Sequence, residues 1–353
     1  MTTYNYTEAE LSDKIDDLSV FTTEARDSIL QGLNTIGVFN SASIVGNLVR
    51  TDVIPADTVT NPDPGEELIL FTGDPAGPQT LSGDDTSAIF ASDSSIDVTI
   101  NAFGKAFVAT DSGDDRVVSA GTSTDYIIVG DGDNYVDAGS GADTIVAGSG
   151  NDTIYGGSGA DSILGGDGNN YLDGGNSNDT IVAGGGDDTI LGGDGNDSIL
   201  AGNGDNNITA GTGDDTVIAG DGADTIFGGS GNDSIIGGDG SNYIDGGTGN
   251  DTIIAGGGDN VLIGGDGNDS ITAGGGNDSI VGGSGADRIN LLAEGGSIGA
   301  DTVIGGSGSD TLYIDKFAAD IINSTTTAGV TTITFNNGDT VQYSQIETVL
   351  FKI

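Results

Sequence analysis

The 353-residue chain contains no cysteine, no histidine and no tryptophan, and it sets only 8 basic side chains against 55 acidic ones. Each absence removes a class of chemistry. Without Cys there is neither a disulfide nor a thiolate metal site. Without His the commonest general base and the usual zinc ligand are missing. Eight scattered Lys and Arg cannot build the basic patch that nucleic acid or an anionic membrane surface requires. No run approaches 18 consecutive apolar residues, so no membrane-spanning helix is expected. The stretch Met1-Thr2-Thr3-Tyr4-Asn5-Tyr6-Thr7-Glu8 has no basic start and no apolar run, so a cleaved N-terminal signal peptide is not expected either. What is present is 65 glycines, a net charge of −47 and 35% hydrophobic residues, values close to those of disordered chains. Either the protein is largely unfolded or something cationic neutralises it.

Four regions are legible. Residues 1–36 read as a short helical N-terminal segment. Thr7-Glu8-Ala9-Glu10 fits a capping box, and Leu11, Ile15 and Leu18 form one apolar stripe, followed by Ala25, Ile29 and Leu33. Residues 37–110 read as an irregular β-rich region that holds all five prolines, Pro55 to Pro78. Residues 111–310 are a repeat array, and 311–353 return to β-type sequence as a C-terminal cap. There Asn336-Asn337-Gly338-Asp339 marks a hairpin between TTITF and TVQY.

The array decides the fold. Its unit is Gly-Gly-x-Gly-x-Asp-x-U-x, where U is a large aliphatic residue. Position 8 falls at residue 127 and at every ninth residue to 289, nineteen units in all, and every one is aliphatic: fifteen Ile, two Val and two Leu. A disordered Gly/Asp linker, which composition alone would favour, does not hold such a register. The pattern marks short strands whose central residue points inward. Positions 1–6 form a turn in which Gly permits positive φ and lets carbonyls converge. Position 6 supplies a carboxylate beside those carbonyls. Oxygen donors without imidazole or thiolate select Ca²⁺ over zinc or copper, unless the aspartates are merely solvated turn residues.

These units resemble the nonapeptide repeats of RTX proteins, a Ca²⁺-binding repeat. The resemblance implies an all-β fold, a parallel, right-handed β-roll of 18 residues per coil, with one strand in each of two sheets and calcium between successive turns. The metal ligands it implies on one side are Asp125, Asp143, Asp161, Asp179, Asp197, Asp215, Asp233, Asp251, Asp269 and Asp287. On the other side they run Asn134, Asp152, Asn170, Asp188, Asn206, Asp224, Asn242, Asn260 and Asp278, with Asp301 and Asp310 as further ligands beyond the regular units. All five Asn fall on that side. Asn keeps a carbonyl oxygen and loses the charge, so a strong and a weak calcium stack are expected. The resemblance also implies export through a type I pathway with an uncleaved secretion signal near the C-terminus, and hence an extracellular or cell-surface location.

Position 9 on the all-Asp side is an unbroken aliphatic ladder: Ile128, Val146, Leu164, Val182, Leu200, Ile218, Ile236 and Ile254. Such a stripe is covered by the chain's own N-terminal segment, joins another copy, or has no specific role. Gly295-Gly296-Ser297-Ile298-Gly299 matches the G-x-S-x-G nucleophile pattern, but with no His no triad forms, and no enzyme activity is expected. The expected function is therefore a secreted, calcium-dependent structural protein that self-assembles into a surface layer, sheath, filament or matrix, through the ladder or the N-terminal segment. The alternative is an adhesin that meets a surface polysaccharide through calcium, or, less in keeping with its irregular turn positions, an ice-binding roll.

Overall fold

Each unit sets a β-favouring triplet such as Thr144-Ile145-Val146 directly after a glycine-rich turn, so strand follows turn at every ninth residue. A computed structural model describes residues 69–72, 77–83, 86–91, 95–102, 104–110, 112–292 and 296–352. In it the strands stack into two sheets, of 15 and 16 strands. Consecutive units go to opposite sheets. Within a sheet each strand pairs in parallel with the one 18 residues on: Ile145 opposes Ile163, and Ile163 opposes Ile181. The chain is thus a two-sided parallel β-solenoid, the roll expected from the repeat. The helical reading of 1–36, and the part of the irregular region up to residue 68, lie outside the described residues.

The core is thin. Position 8 is fully buried along the array, from Ile127 and Ile145 to Ile289, and from residue 129 on position 1 points inward mostly as Ala or Gly, with Ala183, Ala201 and Ala210 at zero exposure. Two large apolar side chains per 18 residues is a small return for ordering that length of backbone. The remaining stabilisation has to come from the turns.

In the turns the glycines at positions 2 and 4 sit at positive φ, for example Gly157 at 104° and Gly159 at 125°. Ser177 takes position 4 of its unit at φ 82°. A side chain in that region costs about 1–2 kcal/mol, partly offset in a Gly variant by about 0.5–1 kcal/mol of extra chain entropy. Ser177→Gly is therefore expected to stabilise the calcium-loaded protein by about 0.5–1 kcal/mol, whereas Ser177→Ala, equally strained, should not. Thermal melts at one saturating calcium concentration measure both.

The roll extends past the recognisable repeat at each end. Strands Ile69–Thr72, Thr86–Ala91 and Ala106–Ala109 continue one sheet, and Gln79–Gly83, Asp97–Ala102 and Arg116–Ser119 continue the other. Their partners lie 19 or 20 residues apart, as in Ile69 with Ala88 and Ala88 with Val108. The one or two extra residues per coil erase the ninth-residue period, so this stretch reads as irregular although Val98, Ile100, Val108 and Val117 point into the same core.

At the other end Thr311–Phe317 and Thr348–Lys352 extend the first sheet, and Thr340–Ser344 extends the second. Between them a hairpin of Val330–Phe335 and Thr340–Ser344 turns at Asn336–Asp339, where the sequence places it, and Ile321–Thr327 adds an antiparallel edge strand. A buried ion pair pins this end, with Lys316 Nζ 2.9 Å from Asp339 Oδ2. Asp339 also accepts from the Ser297 hydroxyl (2.7 Å) and the Ile298 N–H (2.9 Å). Burial acts to raise its pKa, but Lys316, the Ile298 N–H, Asn337 and Ser297 together hold it down at about 2. Ser297 therefore serves a structural carboxylate. Among the described residues no helix is long and apolar enough to cross a membrane.

Candidate metal centre

Every position-6 residue is buried, although it lies in a turn. Asp125, Asp143, Asp215, Asp251 and Asp287 are each 1% exposed, and Asp310 is 0% exposed. One carboxylate oxygen explains part of this. Oδ1 of each Asp accepts the backbone N–H of the position-6 residue one coil earlier: Asp161 from Asp143 (2.7 Å), Asp179 from Asp161 (2.7 Å), Asp188 from Asn170 (2.8 Å). The five-residue insertion after Leu291 leaves this intact, since Asp301 accepts from Asp278 (3.0 Å) and Asp310 from Asp287 (2.9 Å). The carboxylates form two continuous columns, one on each side of the roll.

The second oxygen is the informative one. Oδ2 is buried without a hydrogen-bond partner in fifteen of these aspartates, from Asp143 and Asp152 to Asp301 and Asp310. Asp125 differs, because its Oδ2 accepts from the Ser119 hydroxyl (2.7 Å). A buried carboxylate oxygen with no donor costs several kcal/mol, and a repeated cost of that kind needs a cation or a proton at each place. Burial accordingly drives the carboxyl pKa up, to about 8 at Asp143 and Asp301, about 7 at Asp179 and Asp215, and about 6 at Asp161, Asp188, Asp233 and Asp269.

The surroundings of Oδ2 are main-chain oxygens. A methyl group added to Gly156 would lie 2.6 Å from Asp161 Oδ2 and 2.7 Å from the carbonyl oxygen of Gly174, one coil on. Gly174 stands in the same relation to Asp179 and Gly192, and Gly246 to Asp251 and Gly264. Position 1 is therefore a cradle that a Cβ would fill, with a carboxylate oxygen and a carbonyl oxygen converging on it. No group of three or more acidic side chains is gathered at one point among the described residues. The donor set is carboxylate plus backbone carbonyl, which suits a hard divalent ion of flexible coordination such as Ca²⁺.

The asparagines are arranged differently in one atom. Their Oδ1 also takes the N–H of the preceding coil, Asn170 from Asp152 (2.9 Å) and Asn206 from Asp188 (3.0 Å). The carbonyl oxygen that the sequence offered as a ligand is thus already engaged. The amide nitrogen faces the turn instead. Asn134 Nδ2 donates to the carbonyls of Gly130 (3.0 Å) and Gly132 (2.9 Å), and Asn170 Nδ2 to Gly168 (3.1 Å).

Three features were not read from the sequence. Asp115 is buried and its Oδ1 accepts the Ile96 N–H (2.8 Å), so the column on the second side starts one coil earlier than the repeat shows. Glu347 Oε2 accepts the Asp310 N–H (2.7 Å) and closes the other column with a longer side chain. Position 5 builds a second, exposed ladder. There Asp133 Oδ1 accepts from Asn151 N–H (2.7 Å), Asn151 from Asn169 (2.9 Å) and Asn169 from Asp187 (2.9 Å). Position 5 caps the following coil and position 6 the preceding one, so each turn is held from both directions. The frequency of Asn and Asp at position 5 was the only available signal, and it also fits an ordinary solvated turn.

A family model described as the RTX calcium-binding nonapeptide repeat matches ten segments of the chain, overlapping from residue 110 to 289 and again over 295–313, more than half of its length. No curated protein gives a significant sequence match to the chain.

Proposed function

The chain belongs to the RTX calcium-binding nonapeptide repeat family, whose repeats bind Ca²⁺ between turns, and on that premise we propose that it is a secreted structural protein which folds on meeting extracellular calcium and then assembles with other copies. The observation that carries the assembly reading is the exposed row Ile218, Ile236 and Ile254, at 39%, 38% and 43% exposure. These residues stand in register on neighbouring strands, so their side chains form one continuous apolar strip along the sheet. A contiguous apolar strip on so acidic a surface is a candidate interface. Under this reading Ca²⁺ neutralises the polyanion, the two columns stiffen the roll, and the strip joins copies into a layer, sheath, filament or matrix.

Negative-stain electron microscopy of the full chain in millimolar calcium tests it. Ordered polymers are expected, and Ile236→Lys combined with Ile254→Lys should disperse them into single rods that keep the same far-UV circular dichroism. If the unmodified chain forms only dispersed rods, the reading is wrong and a calcium-dependent adhesin or glycan-binding role takes its place.

A further inference from the structure

The second column alternates amide and carboxylate from Asn134 to Asn242 and then runs Asn260, Asp278 and Asp301, and the two residue types close their turns by different means. In both, Oδ1 accepts the same backbone N–H of the preceding coil, which fixes one atom of a planar group and so fixes the other. The amide nitrogen of Asn170 therefore stands where Oδ2 stands in an Asp unit. It points at carbonyl oxygens of positions 2 and 4 of its own turn, Gly166 (3.5 Å) and Gly168 (3.1 Å). Asn206 repeats this with Gly202 and Gly204. Asn242 donates to Gly238 of its own turn (3.4 Å) and to the position-1 carbonyl of the next coil, Ala255 (3.4 Å), and Asn260 donates to Gly258 of its own turn (2.9 Å) and to Oδ1 of Asp278 in the next coil (3.1 Å). The opposite amide orientation would aim N–H at N–H and carbonyl at carbonyl, so only this one is complementary.

We propose that Asn134, Asn170, Asn206, Asn242 and Asn260 close their turns without calcium, each side-chain NH₂ group donating to the carbonyl oxygens that a bound ion would otherwise hold. An Asp unit presents main-chain carbonyl oxygen together with an unpartnered carboxylate oxygen, which is attractive to a cation and repulsive without one. An Asn unit presents its carbonyls already paired with N–H donors, and a cation entering there would meet the hydrogens. The side chain is a neutral, permanent substitute for the ion. The second column is therefore a mixture of metal-dependent and metal-independent turns, not a column of weakened calcium sites. This inference rests on the reading of the aspartate turns as calcium sites.

Long-wavelength anomalous diffraction from the full chain crystallised in millimolar calcium chloride tests it directly. Calcium peaks are expected beside Asp152, Asp188, Asp224, Asp278 and Asp301 and at the Asp units of the first column, and none in the five Asn turns. Peaks in the Asn turns as well would overturn the inference while leaving the calcium reading intact. Peaks in no turn would overturn both. Calcium counting by equilibrium dialysis supplies a second measure. Asn170→Asp should bind one further ion at saturation, Asn170→Asp with Asn206→Asp two, and both variants should need more calcium than the unmodified chain to reach half of their β-sheet signal. If the substitutions tighten binding without adding ions, the asparagine turns already held calcium and the inference falls.

Discussion

In EGTA at pH 8 the far-UV circular dichroism of the chain is expected to lose its β-sheet signal, and to recover it on addition of millimolar calcium. The cause is the pair of carboxylate columns. Successive position-6 side chains are one strand spacing apart, roughly 4.8 Å, and most of them bury an oxygen that no donor satisfies. With the thin aliphatic core as the only large favourable term, the metal-free roll cannot carry that load, and ion binding becomes folding free energy. Extracellular modules of this kind need about 10⁻⁴–10⁻³ M calcium. Protons compete for the same oxygens, and the sign is fixed by the pKa shifts. Asp143 and Asp301 rise from 3.8 to about 8, and Asp161, Asp188, Asp233 and Asp269 to about 6, by burial in the folded state. The folded metal-free chain binds more protons than the unfolded one between these limits, so its stability is greatest below the unfolded value near 3.8 and is lost as pH rises through about 6 to 8. An EGTA sample taken from pH 8 to pH 3.5 should therefore regain β-sheet signal without any metal. A spectrum that is identical at pH 8 with and without calcium would end this account.

Gly249→Ala is expected to be among the most damaging single substitutions available to the chain, although it adds one methyl group. Gly249 occupies position 4 of a central unit at φ 136°, and an added Cβ would overlap the carbonyl of Gly231 in the coil before. Neither backbone can yield, because the Gly249 N–H is bonded to Asp266 O (2.7 Å) and the Gly231 N–H to Thr248 O (2.8 Å). The left-handed backbone and the overlap together cost roughly 3–5 kcal/mol. In a stacked array that loss is felt locally, so the coils on either side should separate and calcium binding nearby should weaken. A fall in melting temperature of roughly 10 °C at saturating calcium is the expected measure. Gly185→Ala is the control. Its φ is unremarkable for any residue, and the added Cβ meets only Asp167 Oδ1 at 3.7 Å, so its melting temperature should change little. Equal losses in the two variants would show that turn crowding does not govern stability here.

The ninth-residue aliphatic period placed nineteen inward-facing strand residues, and the 18-residue coil implied by the RTX resemblance added the two sheets and the position-6 columns, because a residue spaced at 18 in a parallel stack necessarily meets its own counterpart one coil on. The same reasoning failed wherever a coil carried extra residues. The strands from Ile69 to Ser119 continue both sheets, yet their 19- and 20-residue coils show no period, since a solenoid tolerates insertions in its turns as long as the strands stay in register. Glu347 was hidden for a related reason, because it ends the column from outside any repeat with a side chain one methylene longer than the rest.

Spacing and residue type by themselves determined the inward aliphatic positions and a hard cation as the ligand, and with the 18-residue coil that the RTX resemblance implied they placed the five amides on one side. Only the tertiary structure decided which atom of each side chain faces the turn. A planar carboxylate or amide has two ends, and the N–H of the neighbouring coil claims one of them. What is left pointing inward is a bare oxygen at Asp161 and an N–H donor at Asn170, a difference in sign that no linear reading of the chain contains.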